Sequence, residues 1–288
     1  MGIDPDKLYN WPFPEVEQVV TQRDAIIYAL GVGLGADPLD EGQLRFVFEE
    51  RDFEVLPTMA AVLCTPGFWA REPGTGLDWK KILHGEMGIY LHDVLPADAT
   101  LVATNKVVDI IDKGEGKGAL LYQERVVTEK GTGRKLATLT STTFARGDGG
   151  FGGHSGPQPE PHNLPDREPD LVCDLATLPQ AALIYRLSGD PNPLHADPVV
   201  AKTAGFDAPI LHGLCTLGVA GHAILKTCCG YDASRFKSLK LRFSSPVYPG
   251  ETIRTEMWVD GKDVSFRARV VERDVVVLNN GLAEVTPE

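Results

Sequence analysis

Cysteine is scarce in this chain. Five occur among 288 residues, Cys64, Cys173, Cys215, Cys228 and Cys229. They are odd in number and form no C-x-x-C pair, so they read as reduced, mostly buried thiols of a cytoplasmic protein. Positive charge is also short. Lys and Arg number 28 against 40 Asp and Glu, a formal net charge of -12. That balance excludes a nucleic-acid partner, which needs a basic footprint, but permits an anionic small ligand on a local basic patch. No apolar run approaches the roughly 20 residues of a membrane span. The N-terminal "MGIDPDKLYNWPFPEVEQ" has no basic segment followed by an apolar one, so no secretory signal is expected, and "EVTPE" at the other end is no recognisable address.

Several chemical signatures are missing too. "GVGLGAD" from Gly31 is not G-x-G-x-x-G and follows a helix-like run, which argues against a dinucleotide site. No G-x-S-x-G elbow occurs. His195, Asp197 and His212 match no common metal spacing, so neither metal nor cofactor is expected.

What is present is a duplicated, ordinary globular chain. The hydrophobic fraction is 43%, enough for a sizeable core, and the length suggests about two domains. The stretch 147–170, "GDGGFGGHSGPQPEPHNLPDREPD", is rich in Gly and Pro and reads as a linker between residues 1–146 and 171–288. The two halves resemble each other. "RDAIIYALGVG" aligns with "QAALIYRLSGD", pairing Tyr28 with Tyr185. "VLPADATLVATNKVVD" aligns with "PVYPGETIRTEMWVDG", pairing Pro96 with Pro249. Such a repeat indicates duplication of one fold unit.

The local signals repeat as well. Thr21 with Asp24, and Thr177 with Gln180, are capping-box patterns; the second opens a helix ending near Ser188. Asp197-Pro198 reads as an N-cap and first-turn proline. "GLCTLGVAGHAILKT" is an apolar helix with small residues at Gly213, Gly218, Ala220, Gly221 and Ala223, which permit close packing. Its expected counterpart is "PTMAAVLCTPGFW", Pro57 to Trp69. Strands are expected near 238–245, 251–259, 263–272 and 274–285. A long apolar helix followed by an antiparallel meander implies a sheet wrapped around a helix.

The chemistry concentrates in "YRLSGDPNPLHADP", Tyr185 to Pro198. Asp190 and His195 can jointly hold a water and move its proton, since an imidazole titrates near neutrality. Gly33 occupies the place of Asp190 in the first half, and nothing like "DPNPLH" follows it. The pair is therefore expected to serve catalysis in the second half alone. Asn192 either orients the water or braces the turn before Pro193. Gly213, opening the small-residue helix, offers an unpaired N–H to a developing oxyanion. His212 reads as a structural or supporting histidine. "DKGEGKG", Asp112 to Gly118, is either a solvated hairpin or a phosphate contact through Lys113. "LHG" occurs at Leu83-His84-Gly85 and at Leu211-His212-Gly213, but in different settings, so the roles should differ.

"YRLSGDPNPLHADP" followed by "AGFDAPILHGLCTLG" resembles the hydratase motif of the MaoC-like, (R)-specific enoyl-CoA hydratase 2 family. "ILHGE", "DKGEGKG" and "GGFGG" are similar to the non-catalytic half of its two-domain members, which include the hydratase portion of the peroxisomal multifunctional enzyme. The resemblance implies an α+β double hotdog, two tandem curved antiparallel sheets each around a central helix. It implies Asp190 and His195 as the water-activating pair, with Asn192 between them and Gly213 as oxyanion donor. It also implies substrate contacts at His84, Gly85, Lys113 and Phe243, an acyl-CoA substrate, no cofactor, and a homodimer. The implied activity is hydration of trans-2-enoyl-CoA to the (3R)-3-hydroxyacyl-CoA. A hotdog thioesterase and a non-catalytic acyl-CoA-binding module are the rival readings.

Overall fold

The computed structural model describes residues 2–287. In the first half the order is α1 (Pro5–Tyr9), β1 (Val16–Val20), α2 (Gln22–Gly31), α3 (Glu41–Val47), β2 (Ile82–Leu91), β3 (Ala99–Asp112), β4 (Ala119–Glu129) and β5 (Lys135–Ala145). The second half contributes β6 (Leu171–Ala176), α4 (Ala181–Tyr185), α5 (Pro198–Thr203), α6 (Gly213–Cys229), β7 (Phe236–Phe243), β8 (Thr252–Asp260), β9 (Asp263–Val270) and β10 (Val275–Val285).

These strands form one sheet in the order β1-β3-β4-β5-β2-β7-β10-β9-β8-β6, every pairing antiparallel. Read from either edge inward, each half places its own strands in the same order: first, third, fourth, fifth, second. The halves meet where β2 pairs with β7, from Glu86 opposite Arg242 to Tyr90 opposite Ser238. Duplication is visible inside as well. Tyr28 and Tyr185 are both fully buried and their ring centroids lie 5.7 Å apart. This is the expected α+β double hotdog.

The helix α6 is apolar almost all round, and its residues Cys215 to Leu225 are buried. Its glycines are places of contact with the other half. A Cβ on Gly221 would lie 2.3 Å from Thr58, and one on Gly218 2.6 Å from Val32. The last four strands of the second half start and stop within two residues of their expected limits, as their β-branched and aromatic content implies.

Two local expectations fail. Residues Pro57 to Trp69 do not form a central helix. Only Pro57–Val62 turns, as a 3₁₀ helix, and Cys64 then adopts a left-handed φ of 48°. Pro66 restrains Thr65 from helical geometry, and Pro66-Gly67 ends any continuation. The first half thus has no long helix inside its sheet. The second failure is the capping box at Thr177. Its hydroxyl instead donates to the Glu251 carbonyl at 2.8 Å and accepts from the Gly250 N–H at 2.9 Å. The end of the β6–β8 ladder claims that side chain, and α4 begins at Ala181 without a side-chain cap. At Thr21 the capping box forms, with Asp24.

Segment 147–170 holds no helix or strand but is pinned. The Asp112 carboxylate accepts from the N–H groups of Gly150 and Gly152, and His162 bonds Ser265 at 2.8 Å. Among the described residues no helix is long and apolar enough to cross a membrane.

Candidate active site

The turn after α4 is built by short-range capping. A 3₁₀ turn, Arg186–Ser188, continues α4, and Gly189 reverses the chain at φ 118°. Asp190 accepts the Asn192 N–H through Oδ1 at 3.2 Å, and Asn192 accepts the Leu194 N–H at 3.1 Å. Asn192 therefore N-caps the 3₁₀ helix Pro193–His195 and is exposed. Of the two roles considered for it, the brace is the one with visible contacts.

That brace delivers His195 inward, where it is 8% exposed. Nδ1 lies 2.8 Å from the Ile210 carbonyl. A carbonyl only accepts, so Nδ1 carries the proton and Nε2 keeps its lone pair. Burial lowers the pKa of His195, against the opposing pull of the Ile210 carbonyl and the Asp190 charge. The ring is therefore a neutral base near pH 7. His212 stacks on it, ring centroids 3.7 Å apart and planes at 28°. Its Nε2 donates to the Asp190 backbone carbonyl at 3.1 Å. Burial first, then the neighbouring His195, depresses its pKa. His212 thus holds both the carboxylate-bearing turn and the base in place.

Asp190, His195 and His212 each offer an atom within 4.8 Å of the others. A water can bridge such a gap with two hydrogen bonds of about 2.8 Å. The same cluster suits a metal less well. Two stacked imidazoles aim their in-plane lone pairs side by side rather than at one point.

Gly213 is the first residue of α6, and no acceptor for its N–H exists among the described residues. Its exposed backbone faces Phe243. A Cβ there would stand 3.2 Å from the Phe243 ring, so glycine leaves both the N–H and the aromatic in position. Phe243 in turn packs on His84, centroids 4.7 Å apart. His84 and Gly85 sit at a bulge in β2, where the β5 register slips between His84 and Glu86. His84 lies opposite Thr143 just before the bulge. Lys113 is half-buried, with its Nζ 5.7 Å from the Phe144 ring. Phe144 pairs with Leu83, next to His84, so this lysine stands at the same end of the sheet. The Asp112 carboxylate, receiving the Gly114, Gly150 and Gly152 N–H groups, ties the glycine-rich turn to "GDGGFGG".

The structure thus gathers Asp190 and His195 in the second half. It links Gly213, Phe243 and His84 across the β2–β7 seam, and sets Lys113 beyond them. One polar group escaped sequence reading. Arg125, in "YQERVVTE" of β4, has the inward parity of Leu121 and Val127; that alternation was the available signal.

Comparison with known proteins gives the family of the chain. Residues 19–147 match the MFE-2 hydratase 2 N-terminal domain, and residues 160–281 match the MaoC like domain. The chain is 42% identical over 294 residues to the 3-hydroxyacyl-thioester dehydratase Y of Mycobacterium tuberculosis, covering 99% of each. It is 42% identical over 289 residues to the peroxisomal enoyl-CoA hydratase 2 of Arabidopsis thaliana, covering 95% of this chain and 93% of that one. A crystal structure of a MaoC-like dehydratase from Phytophthora capsici superposes with a TM-score of 0.87 at 37% identity, over 99% of this chain and 100% of the other. The chain belongs to the MaoC-like enoyl-CoA hydratase 2 family.

Proposed function

We propose that this protein is an (R)-specific 2-enoyl-CoA hydratase, a hydro-lyase adding water reversibly to trans-2-enoyl-CoA to give (3R)-3-hydroxyacyl-CoA. The observation that carries the reading is the neutral His195 beside the Asp190 carboxylate, next to an open N–H at the start of α6. The relatives named enoyl-CoA hydratase 2 and 3-hydroxyacyl-thioester dehydratase support it.

In this mechanism Asp190 and His195 Nε2 hold one water. Its oxygen attacks C3 of the enoyl thioester while the pair takes its proton. The electrons of the double bond move to the thioester oxygen, giving an enolate held by the Gly213 N–H and the positive end of α6. The pair returns a proton to C2 on the same face, so addition is syn and no electrons leave the substrate. His212 and Asn192 position the two reacting groups. Residues 171–288 then form the catalytic domain. Residues 1–146 form a substrate-holding domain, with His84, Gly85 and Lys113 toward the CoA ester, and 147–170 joins them. The five free cysteines, four of them buried, fit a reducing compartment such as the cytoplasm. The working unit in this reading is a homodimer of whole chains.

Incubation with trans-2-butenoyl-CoA tests the proposal. A hydratase removes the enoyl absorbance without releasing thiol, and the product is refused by an S-specific 3-hydroxyacyl-CoA dehydrogenase. Thiol release would make the protein a thioesterase, and no change would leave a binding module.

A further inference from the structure

The inside of the first half's sheet is not uniformly apolar. Two separate hydrophobic clusters lie there. One includes Val127, Leu139 and Ile89; the other includes Leu121, Val107 and Ala145. Between them, strand register sets a polar band across four strands. Asn105 pairs with Arg125, Gln123 with Ser141, and Leu121 with Thr143, which pairs with His84. The Thr143 hydroxyl donates to Gln123 Oε1 at 3.3 Å, so both point into this seam. This is the side of the sheet that carries no long helix.

Arg125 is the charged member of the band. One guanidinium N–H donates to the Ala61 carbonyl at 2.6 Å. Its Nε, and the neighbouring Asn105 Nδ2, are buried without any partner. Among the described residues no carboxylate comes within ion-pair distance of Arg125. Burial lowers its pKa to about 10, which still leaves it charged at neutral pH. A half-buried cation with a buried, unused donor and no counter-charge is costly to keep. Aliphatic acyl chains offer such a group nothing. Arg125 also lies within electrostatic reach of the active site, because the His84 imidazole feels both the Arg125 and the Asp190 charge.

We infer that the first half selects enoyl thioesters whose acyl chain ends in a carboxylate, held by Arg125 with Asn105 beside it. The inference rests on the hydratase reading and adds a substrate class to it. The chain would run from the Asp190–His195 pair past His84 to Arg125. His84 is on β2 and Arg125 on β4, two strand spacings across and four residues along, so their backbone positions lie roughly 17 Å apart and the two long side chains narrow the gap. A medium-length acyl chain has that reach. A guanidinium–carboxylate pair that forms away from bulk water is bidentate and strong, so it discriminates sharply against a methyl terminus.

The test uses the full chain and two substrates of equal length, trans-2-decenoyl-CoA and the monothioester of trans-2-decenedioic acid with CoA. The expected kcat/KM favours the carboxylated substrate by at least about tenfold. Arg125→Met, close in volume but uncharged, should lower the ratio of the two kcat/KM values by about 10–100-fold, mainly through the KM of the carboxylated substrate. A ratio unchanged by Arg125→Met overturns the inference and returns Arg125 to a purely structural role. Should that variant not fold, inhibition of the unmodified protein decides. Saturated decanedioyl-CoA monothioester must then inhibit at least about tenfold more tightly than decanoyl-CoA, and equal inhibition overturns the inference. Failure to hydrate either substrate would instead strike at the hydratase reading itself.

Discussion

Asp190→Asn separates chemistry from architecture at the centre of the site. The side chain makes one structural hydrogen bond, from the Asn192 N–H to Oδ1 at 3.2 Å, and it is half-buried. Asparagine keeps an oxygen for that bond and changes almost no volume. The structural loss is bounded by a weak hydrogen bond, about 1 kcal/mol at most, or a melting shift of about 2–4 °C in a chain of this size. The chemical loss is much larger. An amide cannot take a proton from water, and general acid–base catalysis contributes about 10²–10⁴-fold. At about 1.4 kcal/mol per factor of ten, that is about 3–5 kcal/mol of transition-state stabilisation. The substitution also removes the negative charge that raises the pKa of His195, so the acid limb of any residual activity should move to lower pH. The assay is the decay of enoyl absorbance with trans-2-butenoyl-CoA, alongside a thermal melt of the same preparation. Turnover within tenfold of the unmodified protein would refute the water-holding pair. A melting temperature lowered by more than about 10 °C would refute the argument that the change is isosteric.

Three further outcomes are expected. Lys113→Ala should raise KM for the CoA ester with kcat nearly unchanged, and the effect should shrink in high salt, where the screening length falls from about 8–10 Å at physiological ionic strength to about 3 Å at 1 M; an unaltered KM at low salt would return Lys113 to a solvated hairpin. Asn192→Ser keeps an oxygen for the Leu194 N–H and should retain activity within about tenfold, whereas Asn192→Ala should lower stability by about 1 kcal/mol in a denaturant melt; a catalytic amide would show the reverse ranking in activity. Burial depresses the pKa of His222 from 6.5 to about 4. The unfolded chain therefore binds this proton first, so the stabilisation is complete above about pH 6.5 and is lost as pH falls toward about 4, amounting to about 3 kcal/mol. Melting temperature against pH should fall across that window and flatten in His222→Leu; parallel curves for the two proteins would contradict it.

Much of this arrangement was legible in the residues, for identifiable reasons. The last four strands of the second half are rich in β-branched and aromatic residues, so their limits followed from composition. α6 announced itself by an apolar stretch studded with glycine. The reacting turn stood out because "DPNPLH" occurs in one half only. Less visible was anything decided by tertiary competition. Thr177 has the spacing of a cap, yet the end of the β6–β8 ladder takes its hydroxyl. "PTMAAVLCTPGF" has helical composition, but its proline and glycine and the buried setting of Thr58 against Gly221 allow only a short turn. Arg125 was invisible because a strand arginine is ordinarily a surface residue. Its parity with Leu121 and Val127 was the one signal, and register against Asn105 and Leu139 fixes its neighbours.

The β2–β7 seam has a consequence for how this protein responds to concentration. In the proposed reading, the residues drawn from either half are carried by one polypeptide and joined by a hydrogen-bonded ladder. Meeting of the two halves is an intramolecular event, governed by an effective concentration that the bulk solution does not set. Mass action therefore has no hold on the assembled site, even where it governs association of whole chains. Contact between the two faces should stay constant on dilution, whatever association of whole chains does to turnover, because the smallest unit that can be diluted already contains both.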